Sequence, residues 1–218
     1  MVNINEFEAP QVPSFGLLDN IFSEQHSLME KYIGIEADNH LLHTPDCPVD
    51  LDSPKGQARL KDFAWRITEE LGEALEACRV HPDLPDHNRE ELIDSLHFLT
   101  EFTILAGVTV ERFDAGGRDK LDELFSHCWV ATSRQHTSLY RDMGRTVGAL
   151  AVACNCLKNK PWKNTQMMTD VDYFTQKVVQ VWFRFAELCQ RSGIDSQKLF
   201  NLYFRKSEVN KFRQRSNY

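Results

Sequence analysis

Two pairs of acidic residues with the same spacing are the part of this 218-residue sequence best suited to chemistry. Glu70 and Glu73 form the first pair, and Glu91 and Asp94 form the second. Each pair lies in an apolar pattern with the period of an α-helix, so each places two carboxylates along one edge of its helix. Four carboxylates converging between packed helices repel one another unless cations neutralise them. The spacing therefore predicts a site for Mg²⁺, with Mn²⁺ as a possible substitute.

A basic face near the C-terminus offers the opposite charge. Lys206, Asn210 and Arg213 follow one another at i, i+4 and i+7, so a helix would present an ammonium, an amide and a guanidinium on one side. Alone, this segment is equally compatible with a solvated basic terminus or a weak nucleic-acid contact. Together with the acidic pairs it favours a triphosphate site, because metal ions and Lys or Arg donors both neutralise phosphate oxygens.

The overall charge excludes several other partners. The chain has 25 basic and 32 acidic side chains, a net charge of −7, which argues against nonspecific binding to nucleic acid or anionic membranes. No apolar run approaches a membrane span, and the N-terminal residues lack the basic start and apolar stretch of a secretion signal. We therefore expect a cytoplasmic protein without nucleic-acid or membrane partners.

The periodicity is helical almost throughout, which predicts an all-α helical bundle. A tail over residues 1–16 precedes one domain over residues 17–218. Asp86 or Asn88 is the expected cap of the second acidic helix, which ends near Gly107, and Pro161 and Gly193 mark later breaks. The other helices are expected near 17–40, 57–80, 118–130, 138–159, 170–192 and 195–211.

Three other kinds of site are less consistent with the sequence. The six cysteines contain no CxxC pair and are expected to be reduced thiols, and His40, His43 and Cys47 lack a fourth zinc ligand. A di-iron bundle needs two Glu-x-x-His elements, whereas this chain has only an Asp94-x-x-His97 segment, so His97 is expected to pack beside the site. A bundle without catalysis, serving as a binding or scaffold module, would leave four carboxylates unexplained.

The two acidic segments also carry a resemblance. ITEELGEALEA followed by EELIDSLHFL resembles the ExxE and ExxD motifs of the all-α nucleoside triphosphate pyrophosphatases, the group of MazG, phage dCTP pyrophosphatases and dimeric dUTPases. The ending RKSEVNKFRQRSNY is similar to the K-x-x-x-N-x-x-R-Q-x-x-x-Y ending of dimeric dUTPases and their phage dCTPase relatives. The likeness runs from about residue 20 to the end, although residues 110–170 match only as a helical insertion. The length favours the dimeric dUTPase branch.

This resemblance implies an activity and a site. It implies magnesium-dependent hydrolysis of a deoxynucleoside triphosphate, first dUTP, to the monophosphate and pyrophosphate by a homodimer. The alternative substrates are dCTP and the other nucleotides of MazG-type enzymes. Glu70, Glu73, Glu91 and Asp94 match the metal ligands, and Glu70 or Glu73 would accept the proton of a water activated by the cations. The dimeric family implies attack at the β phosphorus.

The same resemblance assigns substrate contacts. Lys206, Asn210 and Arg213 match phosphate-binding positions, and Gln25 matches a base-contacting glutamine on the first helix. Leu28 stands where the family's dUTPases place an asparagine that follows this glutamine by three residues.

A second departure follows the first acidic helix, where these enzymes carry a tryptophan and this chain reads Arg79, Val80, His81 and Pro82. Trp162 is a candidate for the missing ring that stacks on the base, with Lys158 and Lys163 reaching phosphate. The alternative is that Trp162 is an apolar anchor at a helix end.

Overall fold

The computed structural model describes residues 7–8, 10–39, 46–80, 85–113, 116–132, 139–160 and 162–215. Seven α-helices, one short 3₁₀ helix at Val110–Arg112 and no strand lie within these ranges, so the all-α prediction is confirmed. In chain order the α-helices are α1 (Leu17–Asn39), α2 (Pro54–Val80), α3 (Pro85–Leu105), α4 (Lys120–Thr132), α5 (Leu139–Cys156), α6 (Val171–Arg191) and α7 (Ser196–Arg215). His40 and His43, two of the three residues of the zinc alternative, lie outside the described residues.

The start of α3 corrects one prediction. Pro85 is the first residue of this helix, a position where its missing N–H costs nothing, so both proposed caps lie inside the helix. Asp86 accepts a hydrogen bond from Arg89 at 2.8 Å. Asn88 is buried, and its amide donates to the carbonyl of Ala74 on α2 at 2.9 Å. The capping prediction was wrong, because Asn88 lies inside α3 and bonds to α2 instead of capping the start of α3.

The helices form two packed groups, one around α3 and one around α6, and these two helices contact each other. The short connection between α2 and α3 makes them a helical hairpin with the most extensive interhelical packing among the described residues. α1 and α7 both pack on α3 and on each other. On the other side, α4 and α5 pack against α6, and α5 also contacts α2. The predicted basic residues lie on α7. This helix therefore packs beside the hairpin that carries the predicted carboxylates.

Trp182 on α6 occupies the centre of the core. Its side chain is 1% exposed, and its Nε1 donates to the Thr103 hydroxyl of α3 at 2.9 Å. The rings of Phe22 on α1 and Phe113 lie 5.8 and 5.6 Å from its ring. Burial of these rings and satisfaction of the indole N–H hold α1, α3 and α6 together.

Glycine ends two of the helices, as the sequence predicted. Gly107 has a φ of 72°, and the N–H of Val108 bonds to the carbonyl of Thr103, which closes the last turn of α3. Gly193 has a φ of 71°, and the N–H of Ile194 bonds to Cys189 in the same way. Within the described ranges, no helix has both the length and the apolar character that a membrane span requires.

Candidate metal centre and adjoining cavity

Three of the four predicted carboxylates converge where α2 faces α3. Glu70 on α2 and Glu91 and Asp94 on α3 each offer one oxygen, and these three oxygens lie within 4.8 Å of one another. All three side chains are half-buried. Glu73, one turn further along α2, is exposed and is not one of these three, although its charge helps to raise the pKa values of Glu70 and Glu91, and its role as a ligand stays a prediction. The set of oxygen ligands fits a hard divalent cation such as Mg²⁺.

The pKa values of these residues show the cost of the arrangement. Burial raises the pKa of Glu70 to about 7, and the charges of Asp94, Glu73 and Glu91 contribute to the rise. Burial also raises the pKa values of Glu91 and Asp94. Each shift means that the ionised form is destabilised in the folded protein. A divalent cation would relieve the repulsion, so the donors present fit a metal ion.

Lys206 on α7 is buried against the same cluster. Its Nζ lies 2.6 Å from an oxygen of Asp94 and 3.1 Å from an oxygen of Glu90. Burial opposes its charge, yet the carboxylates of Asp94 and Glu90 raise its pKa above the usual value. The predicted phosphate-binding lysine therefore lies beside the predicted metal ligands, and it forms an ion pair with one of them.

A cavity of about 380 Å³ adjoins the carboxylates. Its wall is formed by residues of α1, α2, α3 and α7, and Glu70 and Asp94 reach it from the cluster. Asn210 and Arg213 also line this cavity, and the charge of Arg213 acts to lower the pKa of Asp94. The remaining lining residues are Gln25, Leu28, Tyr32, Arg66, His97, Phe98 and Glu101.

Gln25, the predicted base contact, is held by a buried hydrogen-bond network. Its Nε2 donates to a carboxylate oxygen of Glu101 at 3.0 Å. Its Oε1 accepts a bond from the Tyr203 hydroxyl at 2.7 Å and faces Nδ1 of His97 at 3.0 Å. With the amide in this orientation its oxygen can only accept, so the contact fits a proton on Nδ1 of His97. The side chain of Gln25 is 4% exposed, so its orientation is set by protein contacts.

His97 is a neutral ring in the wall of the cavity. Burial lowers its pKa to about 3, and the nearby charge of Lys206 acts in the same direction, although a contact with the Tyr203 backbone opposes it. The ring stacks on Tyr203 with centroids 4.2 Å apart. Its Nε2 is buried and has no hydrogen-bond partner among the described residues.

The segment carrying Trp162 lies away from this cavity. Trp162 is 77% exposed, and Lys158 donates to the side chain of Asn155 at 3.1 Å. This segment is attached near the start of α2, where the N–H of Asn159 bonds to Gln57 at 2.8 Å. Thirteen residues of helix, about 20 Å, separate Gln57 from Glu70. The cavity lining does not include Trp162, Lys158 or Lys163, and their substrate contacts stay predictions.

Sequence reasoning missed several residues around the cavity, four of which have defined contacts. Glu101 and Tyr203 fix Gln25, and Glu90 shares Lys206 with Asp94. Arg66 lines the cavity with its guanidinium 4.6 Å from the ring centroid of Phe63. Glu101 lies one helical turn beyond His97 on the face shared with Asp94, and this spacing was the available signal.

Comparison with known proteins gives one match. The family model described as dUTPase matches residues 79–218, more than half of the chain. The matched part contains Glu91, Asp94 and all of α7, whereas Glu70 and Glu73 precede it. No curated protein and no solved structure matches the chain.

Proposed function

This chain belongs to the dUTPase family, and on that premise we propose that it hydrolyses dUTP to dUMP and pyrophosphate with the help of Mg²⁺. The observation that carries the proposal is the cluster of Glu70, Glu91 and Asp94 beside a cavity that Arg213 also lines. Anionic ligands for a cation on one side and a guanidinium on the other suit a triphosphate. A homodimer is part of the proposal, on the family resemblance alone.

Different residues of this chain would have different roles in the hydrolysis. Bound Mg²⁺ would supply charge neutralisation of the phosphates and lower the pKa of a water molecule. Glu70 or Glu73 would take the proton of the attacking water, and Glu70 lies closer to the other ligands. Arg213 and Asn210 would hold the phosphate chain by hydrogen bonds.

Uracil is the proposed base because the matching family model is that of dUTPase and because Gln25, which the resemblance assigns to the base, lines the cavity. Leu28, which lines the cavity in place of the family's asparagine, supplies an apolar contact.

The experiment is a measurement of pyrophosphate release from all common nucleoside and deoxynucleoside triphosphates, with and without Mg²⁺. We expect dUTP to give the highest kcat/KM, and release to stop when the metal is chelated. The matched control is Asp94→Asn, which keeps the side-chain volume but removes the charge. A preference for dCTP or a purine would replace the proposed substrate, and no turnover of any nucleotide would support the binding-module alternative.

Isotope labelling identifies the phosphorus that reacts. The reaction forms one P–O bond from water and breaks the bridging bond between the α and β phosphorus atoms, with release of a proton. In water enriched in ¹⁸O, attack at the β phosphorus puts the label in pyrophosphate. Attack at the α phosphorus puts it in dUMP. We expect label in pyrophosphate, as the family resemblance implies, and label in dUMP would contradict that assignment.

A further inference from the structure

An arginine on α2 forms part of the cavity wall one helical turn away from the carboxylates. Arg66 lines the cavity and precedes Glu70 by four residues, so the two lie on the same face of α2, about 6 Å apart along its axis. On α3, Phe98 follows Asp94 by the same interval and lines the same cavity. The guanidinium carbon of Arg66 lies 5.8 Å from the ring centroid of Phe98, so these two side chains meet between the helices.

The position of Arg66 relates it to the base end of a bound nucleotide. Glu91, the third residue of the carboxylate cluster, lies one turn from Asp94 in the opposite direction along α3. A cation held by this cluster would keep the phosphate chain near it. In the direction of Arg66, the cavity contains Gln25, the predicted base contact, whose amide donates to Glu101 further along α3. Arg66 therefore lies at the end of the cavity where the base is expected.

Contacts within the protein hold the side chain of Arg66 in place. Its Nε and Nη2 lie 3.0 and 2.9 Å from one carboxylate oxygen of Asp62, one turn earlier on α2. Its guanidinium carbon lies 4.6 Å from the ring centroid of Phe63, which is fully buried. The ion pair and the aromatic contacts restrict its rotamers, so a ligand would immobilise this group at little further cost in entropy. The side chain is still 26% exposed, so the group is accessible.

We propose that Arg66 contacts the base and donates a hydrogen bond to one of its carbonyl oxygens. This inference rests on the proposed function and names the residue of α2 that meets the base. Arginine is protonated at every physiological pH and has only donors, so it requires an acceptor in the ligand. Uracil presents a carbonyl oxygen on each side of its N3–H group. Cytosine keeps one of these oxygens and has an amino group, a donor, in place of the other.

Calorimetry with two ligands separates a contact with the base from a contact with phosphate. The α,β-imido analogue of dUTP carries a base, whereas inorganic tripolyphosphate does not, and both are titrated in the presence of Mg²⁺. We expect Arg66→Met to weaken binding of the analogue about tenfold or more, the effect of losing a charged hydrogen bond, and to leave tripolyphosphate binding unchanged. Arg213→Ala should weaken binding of both ligands.

Arg184→Met is the matched control for the loss of an arginine. Arg184 also forms an ion pair on its own helix, with Glu187 at 2.8 Å, but it is not part of the cavity wall. We therefore expect this variant to bind both ligands like the wild type. If Arg66 served only to pack on the aromatic rings and to pair with Asp62, its loss would affect the two ligands equally.

Single-atom changes in the base identify the acceptor. Sulfur, a weaker acceptor than oxygen, replaces O2 in 2-thio-dUTP and O4 in 4-thio-dUTP. We expect one of these nucleotides to have a lower kcat/KM than dUTP with the wild type. The same nucleotide should show little further loss with Arg66→Met, because both changes remove one hydrogen bond. The wild-type comparison needs no variant, so it tests the proposal even if Arg66→Met does not fold.

Three results would overturn the inference. They are an equal loss of both calorimetric ligands in Arg66→Met, unchanged binding of both ligands in that variant, and a wild-type kcat/KM that is the same for dUTP and both thio nucleotides. If the wild type hydrolyses dUTP and one of these results is found, the inference alone fails. If the wild type neither binds the analogue nor hydrolyses dUTP, the proposed function fails and the inference fails with it.

Discussion

The raised pKa of Glu70 leads to a sharp prediction about metal binding and pH. A protonated carboxyl is a poor ligand, so Mg²⁺ must displace a proton from Glu70 wherever that residue is not ionised. Because the pKa lies near 7, this competition falls within the physiological range. The affinity for Mg²⁺ should therefore rise with pH between about 6 and 8, and protons should be released on binding at the lower pH.

The size of the effect follows from the pKa. With a value of about 7, the ionised fraction of Glu70 rises from about 0.1 at pH 6 to about 0.9 at pH 8. The association constant for Mg²⁺ should then rise about tenfold over this range, with about one proton released per ion at pH 6. The pKa values of Glu91 and Asp94 are raised as well, so tenfold is a lower bound.

Isothermal titration calorimetry tests this prediction without nucleotide. Titrations in two buffers with different ionisation enthalpies give the number of protons released. Glu70→Gln should weaken binding and remove most of the pH dependence. Glu69→Gln is the matched control on the neighbouring position, since Glu69 is exposed and accepts a bond from Trp65. Equal affinity at both pH values, or wild-type pH dependence in Glu70→Gln, would refute the reasoning.

Three further changes have defined outcomes. Asp94→Asn should lower kcat by about 100-fold or more, because it removes a proposed metal ligand, and circular dichroism should show intact helices. Arg213→Ala should raise KM about tenfold through loss of a charged hydrogen bond to phosphate, and unchanged steady-state kinetics would exclude that role. Trp182→Phe should lower the free energy of unfolding by about 2 kcal/mol in urea titrations, from a lost bond to Thr103 and a smaller ring.

Periodicity and punctuation predicted the helices because both are properties of neighbouring residues. An apolar residue every third or fourth position marks the buried face of a helix, and a glycine with positive φ ends it, as at Gly107 and Gly193. Helix ends were less predictable where a side chain had more than one possible partner. Asn88 is a good capping residue by type, but its amide bonds to α2, a contact that local sequence does not reveal.

The acidic cluster was predictable for the same local reason, since Asp94 follows Glu91 by about one helical turn. Glu73 shows what local spacing alone does not decide, and its role as a ligand stays a prediction. Its spacing from Glu70 is as good as that of the other pair, but its side chain is exposed on α2 outside the cluster. The rotation of α2 against α3 decides which carboxylates meet, and this rotation is set by packing along the whole hairpin.

The hydrogen-bond network around Gln25 could not be predicted from the sequence, because its members come from distant parts of the chain. Gln25, Glu101 and Tyr203 lie on α1, α3 and α7, and only the packing of these three helices brings them together. Each residue type is also compatible with an ordinary surface position. A sequence pattern can place a glutamine near a base, but it cannot show which end of the amide faces that base.

Lys206 partly neutralises the negative charge of the acidic cluster. The charge that remains is the reason why the cluster still favours a cation. One buried ammonium pairs with Asp94 and Glu90, and it acts to lower the pKa values of Glu70, Glu91 and Asp94. All three pKa values nevertheless stay above their usual range. One positive charge is therefore too little to offset burial and mutual repulsion. The remaining negative charge is what a divalent ion would neutralise, and a bound ion would in turn weaken the hold of Asp94 on Lys206. Metal and phosphate binding would thus be coupled through one lysine side chain.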